Sequence, residues 1–140
     1  MSARAVMQVL VSTPAGPYIV DDVIRLRLPA PDGARGVLPG HERARFGVLP
    51  GPLVLVCEGP DGEHEHYLAT EGGVASVDPR RVLLVCRWAA AASTLDALRE
   101  QVAARRATRA TAEQRARTVA HRHEMATRRA LAELRREVGR

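Results

Sequence analysis

The side chains able to do chemistry are few and scattered. Histidines stand at positions 41, 64, 66, 121 and 123, and the two cysteines at 57 and 86. His64 and His66 alternate along a strand-like run, so both imidazoles fall on one face, the spacing of two metal ligands, with Glu63 and Glu65 on the other. No third ligand is near in sequence, and the pair reads as the polar outer face of a strand. A cupin-like metalloenzyme using His41, His64 and His66 is an alternative that metal analysis of the purified protein would test. His121 and His123 lie two apart in a helical stretch and diverge. No Ser-His-Asp or Cys-His arrangement has motif support, and there is no Walker-type phosphate loop. The residues nominate no catalytic group and no metal site, and the chain reads as not being an enzyme by itself. Cys57 and Cys86 each close an apolar run and read as small buried hydrophobes of a reducing compartment.

His41 tips the most structured stretch, Asp32 to His41, which reads Asp-Gly-Ala-Arg-Gly-Val-Leu-Pro-Gly-His. Its glycines and its Pro-Gly pair allow sharp turns. Val37 and Leu38 between them are apolar and call for burial. Around this loop lie short strand candidates: Val6 to Val11, Tyr18 to Val20, Val23 to Leu28, Phe46 to Leu49, Leu53 to Cys57, Glu63 to Ala69, Val74 to Val77 and Val82 to Cys86. Ile24, Leu26 and Leu28 alternate with Arg25 and Arg27. Pro60-Asp61-Gly62 signals a hairpin. Short strands at this spacing, with no helical pattern between them, predict an antiparallel β-sandwich.

Composition changes after Trp88. Glycine and proline vanish from Ala89 until Gly139. Ser93 is a candidate cap, with Asp96 in the first turn. Leu95, Leu98 and Val102 then repeat at helical spacing. The pattern decays near Thr108 to Thr111, and Thr111 with Gln114 forms a second capping box. The expectation is a two-helix antiparallel hairpin. The apolar face of its second helix, Ala116, Val119, Ala120, Ala126, Ala130, Leu131, Leu134 and Val138, is mostly alanine and offers little area to bury. The fold class is therefore α+β, with a sandwich over residues 1–88 and a hairpin over 93–140.

The formal charge of +5 is unevenly placed. Residues 1–92 hold nine arginines against ten carboxylates, and residues 93–140 twelve against six. The excess positive charge lies in the tail, which should seek an acidic partner. A β-domain with a basic tail that binds nucleic acid is the alternative. The aromatics, Tyr18, Phe46, Tyr67 and Trp88, are too few for stacking platforms, and the head is close to neutral. The start, with one arginine and an apolar stretch broken by Gln8, is too short for a signal peptide. No run reaches the ~18 apolar residues of a membrane span. Membrane association is expected only through partners.

Four signals in order resemble the epsilon subunit of F-type ATP synthases. Gly36-Val37-Leu38-Pro39-Gly40-His41 is similar to that family's Gly-x-x-Pro-Gly-His loop, and Pro50-Gly51 to its next Pro-Gly. Gly72-Gly73-Val74-x-x-Val77-x-Pro79-x-x-Val82 is similar to its Gly-Gly strand, turn and strand. Leu95-Asp96-x-x-Arg99 falls where its first C-terminal helix starts. The resemblance implies a noncatalytic central-rotor subunit with no resident cofactor, on the cytoplasmic face of the bacterial plasma membrane. Its sandwich would hold the gamma subunit and rest on the c-subunit ring, with Gly36, Val37, Leu38, Pro39, Gly40 and His41 at that foot. Its basic tail would rise toward the alpha/beta head and resist hydrolysis through Arg115, Arg122, Arg128 and Arg129 against acidic segments of beta. Regulatory ATP, bound by some bacterial members, would use Leu95, Asp96, Arg99 and Arg106, although Glu100 replaces the family's alanine. Glu42-Arg43-Ala44-Arg45 replaces an apolar stretch and Ala34 an acidic residue. These departures point to a remodelled foot and to a divergent or second ATPase complex.

Overall fold

The computed structural model describes residues 3–139. Nine strands precede one helix: β1 (Met7–Thr13), β2 (Gly16–Ala30), β3 (Gly33–Val37), β4 (Ala44–Val48), β5 (Gly51–Gly59), β6 (Gly62–Thr70), β7 (Gly73–Val77), β8 (Arg81–Cys86), β9 (Ala89–Ala92) and α1 (Leu95–Val138). The ladder runs β4-β7-β8-β1-β2-β5-β6-β9, with β3 paired to β2. It forms two layers by way of β2. Sequence predicts two short strands there, around a polar Asp21-Asp22; the structure makes one strand of 15 residues. Asp22 takes a φ of 56°, the β1 and β5 registers both slip beside it, and the consecutive Val23 and Ile24 are both buried. Such a bulge re-aims the strand without ending it. The first part of β2 pairs with β1 and the second with β5 and β3.

The two halves share one core. Val9 and Val11 of β1, Leu26 and Leu28 of β2, Leu53 and Leu55 of β5, Leu68 of β6, and Val82 and Leu84 of β8 are all 1% exposed or less within one cluster. This is the interdigitated interior of a β-sandwich. One pair departs from the expected all-antiparallel pattern: β1 and β8 run parallel, Gln8 opposite Arg81 through Ser12 opposite Val85. The alternating signal that reveals a strand carries no information on its partner's direction. The stretch read as one long loop also divides, since Gly33–Val37 is a strand folded back on β2. At the junction, four alanines form β9 on the edge of β6, Tyr67 opposite Ala92 through Thr70 opposite Ala89. Alanine is a weak strand former, so pairing to an available edge decides this element.

The expected two-helix hairpin is corrected to one helix of 44 residues. Thr94, one residue after the expected Ser93, caps it by accepting from the Ala97 N–H at 3.2 Å. The expected break at Thr108 to Thr111 is absent. Thr108 donates to the Ala104 carbonyl and Thr111 to the Ala107 carbonyl, each at 3.0 Å. A threonine hydroxyl spent on its i−4 carbonyl is not capping a new helix, and neither glycine nor proline forces a turn. The chain divides into two compact units, one ending at Gln101 and the other starting at Val102. In the first, Leu98 is 1% exposed and Gln101 donates to the Ala91 carbonyl at 3.2 Å. In the second, Val119, Leu131 and Leu134 are about half exposed.

Candidate functional site

The loop after β3 is built like a bracket. Val37, at 0% exposure, fixes its base in the core. Leu38 does not follow it inward, contrary to the sequence expectation, and is 56% exposed. Gly40, at a φ of 84°, makes the turn that other residues resist. Its N–H donates to the Pro79 carbonyl at 2.8 Å, and the His41 N–H donates back to the Leu38 carbonyl at 3.2 Å. His41 is half-buried, its Nδ1 2.6 Å from the Glu42 carbonyl.

The loop is thereby tied to the β7–β8 turn, which is itself braced. The Asp78 carboxylate accepts from the Arg80 and Arg81 N–H groups at 2.8 Å each. These bonds, with the charges of Arg43 and Arg81, hold Asp78 below the usual carboxylate range. At the other end of β3, Arg35 bridges to Asp32 at 3.2 Å and stacks 4.2 Å over the Phe46 ring. Asp32 too is held below the ordinary range, by backbone hydrogen bonding and then by Arg35. Beside Leu38 opens a cleft with Leu26, Val54 and Val56 in it and Arg25, Arg27 and Glu65 around it. An exposed leucine on a braced loop next to an apolar cleft with a charged rim has the make-up of a protein contact surface.

The tail candidates are all helical. Arg115, Arg122 and Arg129 recur every seven residues along α1, with Arg136 continuing the series, so they share one side. Arg128 is drawn to Glu124 at 2.5 Å. Leu95, Asp96 and Arg99 occupy the first turns of α1, where Arg99 lies 3.8 Å from the Asp96 carboxylate. Arg106 follows seven residues later in the second unit, exposed.

Sequence reasoning missed one cluster. The β5–β6 register sets Cys57 opposite His64 and Leu55 opposite His66. The two histidines therefore belong to the core-facing side of the ladder, at its open end, and not to an outer face. Their donor atoms and the Cys57 sulfur all lie within 4.8 Å of one another. The signal was available: Gly59 and Gly62 flank Pro60-Asp61, and counting outward from that two-residue turn pairs 57 with 64. Burial pushes both free thiols above the ordinary range, and the Asp22 charge adds to the effect at Cys57.

Fold and loop together define a β-sandwich head followed in the chain by a basic helix. Residues 6–92 match the family described as the ATP synthase delta/epsilon chain, beta-sandwich domain. The chain is 32% identical to the ATP synthase epsilon chain of Bacillus cytotoxicus over 126 residues, 88% of this chain and 90% of that one. It is 32% identical to that of Bacillus licheniformis over 101 residues, 72% and 74% of the two chains. In solved structures, a chain of the Euglena gracilis mitochondrial ATP synthase is similar at a TM-score of 0.54 and 22% identity, over 65% of this chain and 56% of that one. That last likeness concerns the fold. The chain belongs to the epsilon-chain family of F-type ATP synthases. Among the described residues no helix is long and apolar enough to cross a membrane.

Proposed function

We propose that this chain is a noncatalytic subunit of a central rotor, its head joining the gamma subunit to the ring of c subunits and its helix restraining ATP hydrolysis. The observation that carries the reading is the braced loop, with Leu38 exposed between a buried Val37 and a Gly40 N–H bonded across to Pro79. Torque passes through a contact only if the contacting segment does not yield, and this loop is held at both ends. The cleft beside it suits the gamma subunit, and the loop tip, from Gly36 to His41, suits the c ring. The polar run Glu42 to Arg45 fits a foot remodelled for a divergent or second complex.

The helix supplies the restraint. Arg115, Arg122 and Arg129 form a positive stripe matched to acidic segments of the beta subunits, and Arg128 joins it by leaving Glu124. A regulatory ATP would be held at the start of α1 by Leu95, Asp96 and Arg99. The Asp96–Arg99 pair is exposed and weak, so a phosphate can take the arginine from it. The complex places the chain on the cytoplasmic face of the bacterial plasma membrane.

The test is truncation after Gln101, which keeps Leu98 and its hydrogen-bonded neighbour in the head, followed by reconstitution with the gamma subunit, the c ring and the catalytic head. Assembly should persist and ATP hydrolysis should rise several-fold. Unchanged hydrolysis in an intact complex would remove the restraint. A full chain carrying Leu38→Asp that still assembles and couples normally would remove the loop contact.

A further inference from the structure

We propose that Cys57, His64 and His66 form a binding site for a borderline divalent cation, zinc before others, with Asp22 lining the same cleft as a nearby negative charge. Nothing in the rotor reading requires this cluster. Three elements build it. β5 contributes Cys57 from the floor, β6 contributes both imidazoles from one face, and the bulge of β2 brings Asp22 to the rim of the cleft, which holds about 420 Å3. Two imidazoles and one sulfur are donor types that zinc takes in tetrahedral sites, and a water from the open cleft would complete the fourth position.

The geometry is close to what coordination needs. Zinc at its usual bond lengths sets neighbouring donors about 3.3–3.7 Å apart. The three donor atoms lie within 4.8 Å of one another, and the two imidazoles stand 4.9 Å apart between ring centres and 69° from parallel. Both histidines are exposed, so a rotamer change of about an ångström would bring them to coordination distance of Cys57, which is 2% exposed. Gly59 keeps room for His64, since a Cβ there would stand 3.1 Å from its Nδ1 and Cε1. Binding exchanges the thiol proton of Cys57 for the metal, and the proton leaves to solvent. The metal then fastens β5 to β6 at the exposed end of their hairpin.

The full chain, reduced and stripped of metal, is titrated at neutral pH with Co2+ and then with Zn2+ against a chromophoric chelator. One ion per chain is expected, with a thiolate-to-cobalt charge-transfer band that zinc abolishes. His66→Asn changes an exposed residue, leaves the fold alone and should weaken binding on the order of 100-fold, at least the loss seen when outer-shell partners are removed. Cys57→Ser should abolish the charge-transfer band, and Cys86→Ser should keep it. Where Cys57→Ser does not fold, His66→Asn and Cys86→Ser decide the matter. The proposal is overturned by absent binding, by a band that follows Cys86, by unchanged affinity in His66→Asn, or by binding lost in His121→Asn/His123→Asn.

Discussion

The head and the long helix use their residues in opposite ways. In the head, Val9, Leu26, Leu55 and Val82 come from four strands far apart in sequence and meet in one cluster. Beyond residue 102, Thr108, Thr111, Thr118, Thr127 and Arg128 each bond to the residue four positions back on the same helix. In the head, identity is consumed by packing, and few residues are left to say what the domain touches. Among the described residues of the helix none past Leu98 is buried, so Val119, Leu131 and Leu134 are left without a core of their own. A long helix without a core is sustained by propensity and local pairs.

The largest effect that would test this contrast lies at Gly73. A Cβ there would stand 2.0 Å from the Val85 carbonyl oxygen, which is backbone of the neighbouring strand. Gly73→Ala should cost more than about 3 kcal/mol. Chemical denaturation followed by Trp88 fluorescence reads it. A loss below about 1 kcal/mol would show that the head yields more readily than its packing implies. The next effect belongs to the helix. Thr111→Pro removes an N–H and clashes one turn back, costing about 3 kcal/mol locally. Far-ultraviolet circular dichroism should lose helix signal while the melting temperature of the head stays put. A fall in both would erase the distinction between the two regions.

The same contrast decides what could be read beforehand. Strand positions in the head were legible because alternation such as Ile24, Leu26 and Leu28 reports a buried face directly. The parallel β1–β8 pair and the bulge at Asp22 were not, because they depend on distant partners. The alanine strand β9 was hidden by its own weak propensity. In the helix, Thr108 to Thr111 suggested a break because threonine is as much at home in a cap as on an i−4 carbonyl, and local sequence does not choose between them. The loop at Pro39-Gly40-His41 was legible in type and misjudged in one detail. Leu38 belongs outside, and only the position of Val37 beneath it shows this. The Cys57–His64 pairing needed nothing but counting from a turn.

Val37→Ala sharpens the account of that loop. Removing two methyl groups from a fully buried site should cost about 2 kcal/mol. Leu38→Ala, exposed, should change stability by less than about 0.5 kcal/mol. Equal costs at the two positions would mean that the loop is not anchored as the burial indicates.

The smallest effect is electrostatic and concerns the turn that braces the loop. Asp78 is held below the ordinary carboxylate range, first by the Arg80 N–H and also by the Arg81 N–H and the charges of Arg43 and Arg81. Folding thus favours its ionised form. The stability it adds is complete above the unfolded carboxylate pKa of ~3.9 and fades as pH falls through the lower folded value. Asp78→Asn keeps an oxygen that accepts from the two N–H groups but gives up the charge. Thermal melts from neutral pH downward should show the variant slightly less stable near pH 7, and its curve should converge on that of the parent as pH drops below ~4. Asp32 carries the same sign through Arg35, so Asp32→Asn should converge over the same range. Parallel curves with a constant offset would mean that these carboxylates act by hydrogen-bond geometry alone, and that the bracing of the loop owes nothing to charge.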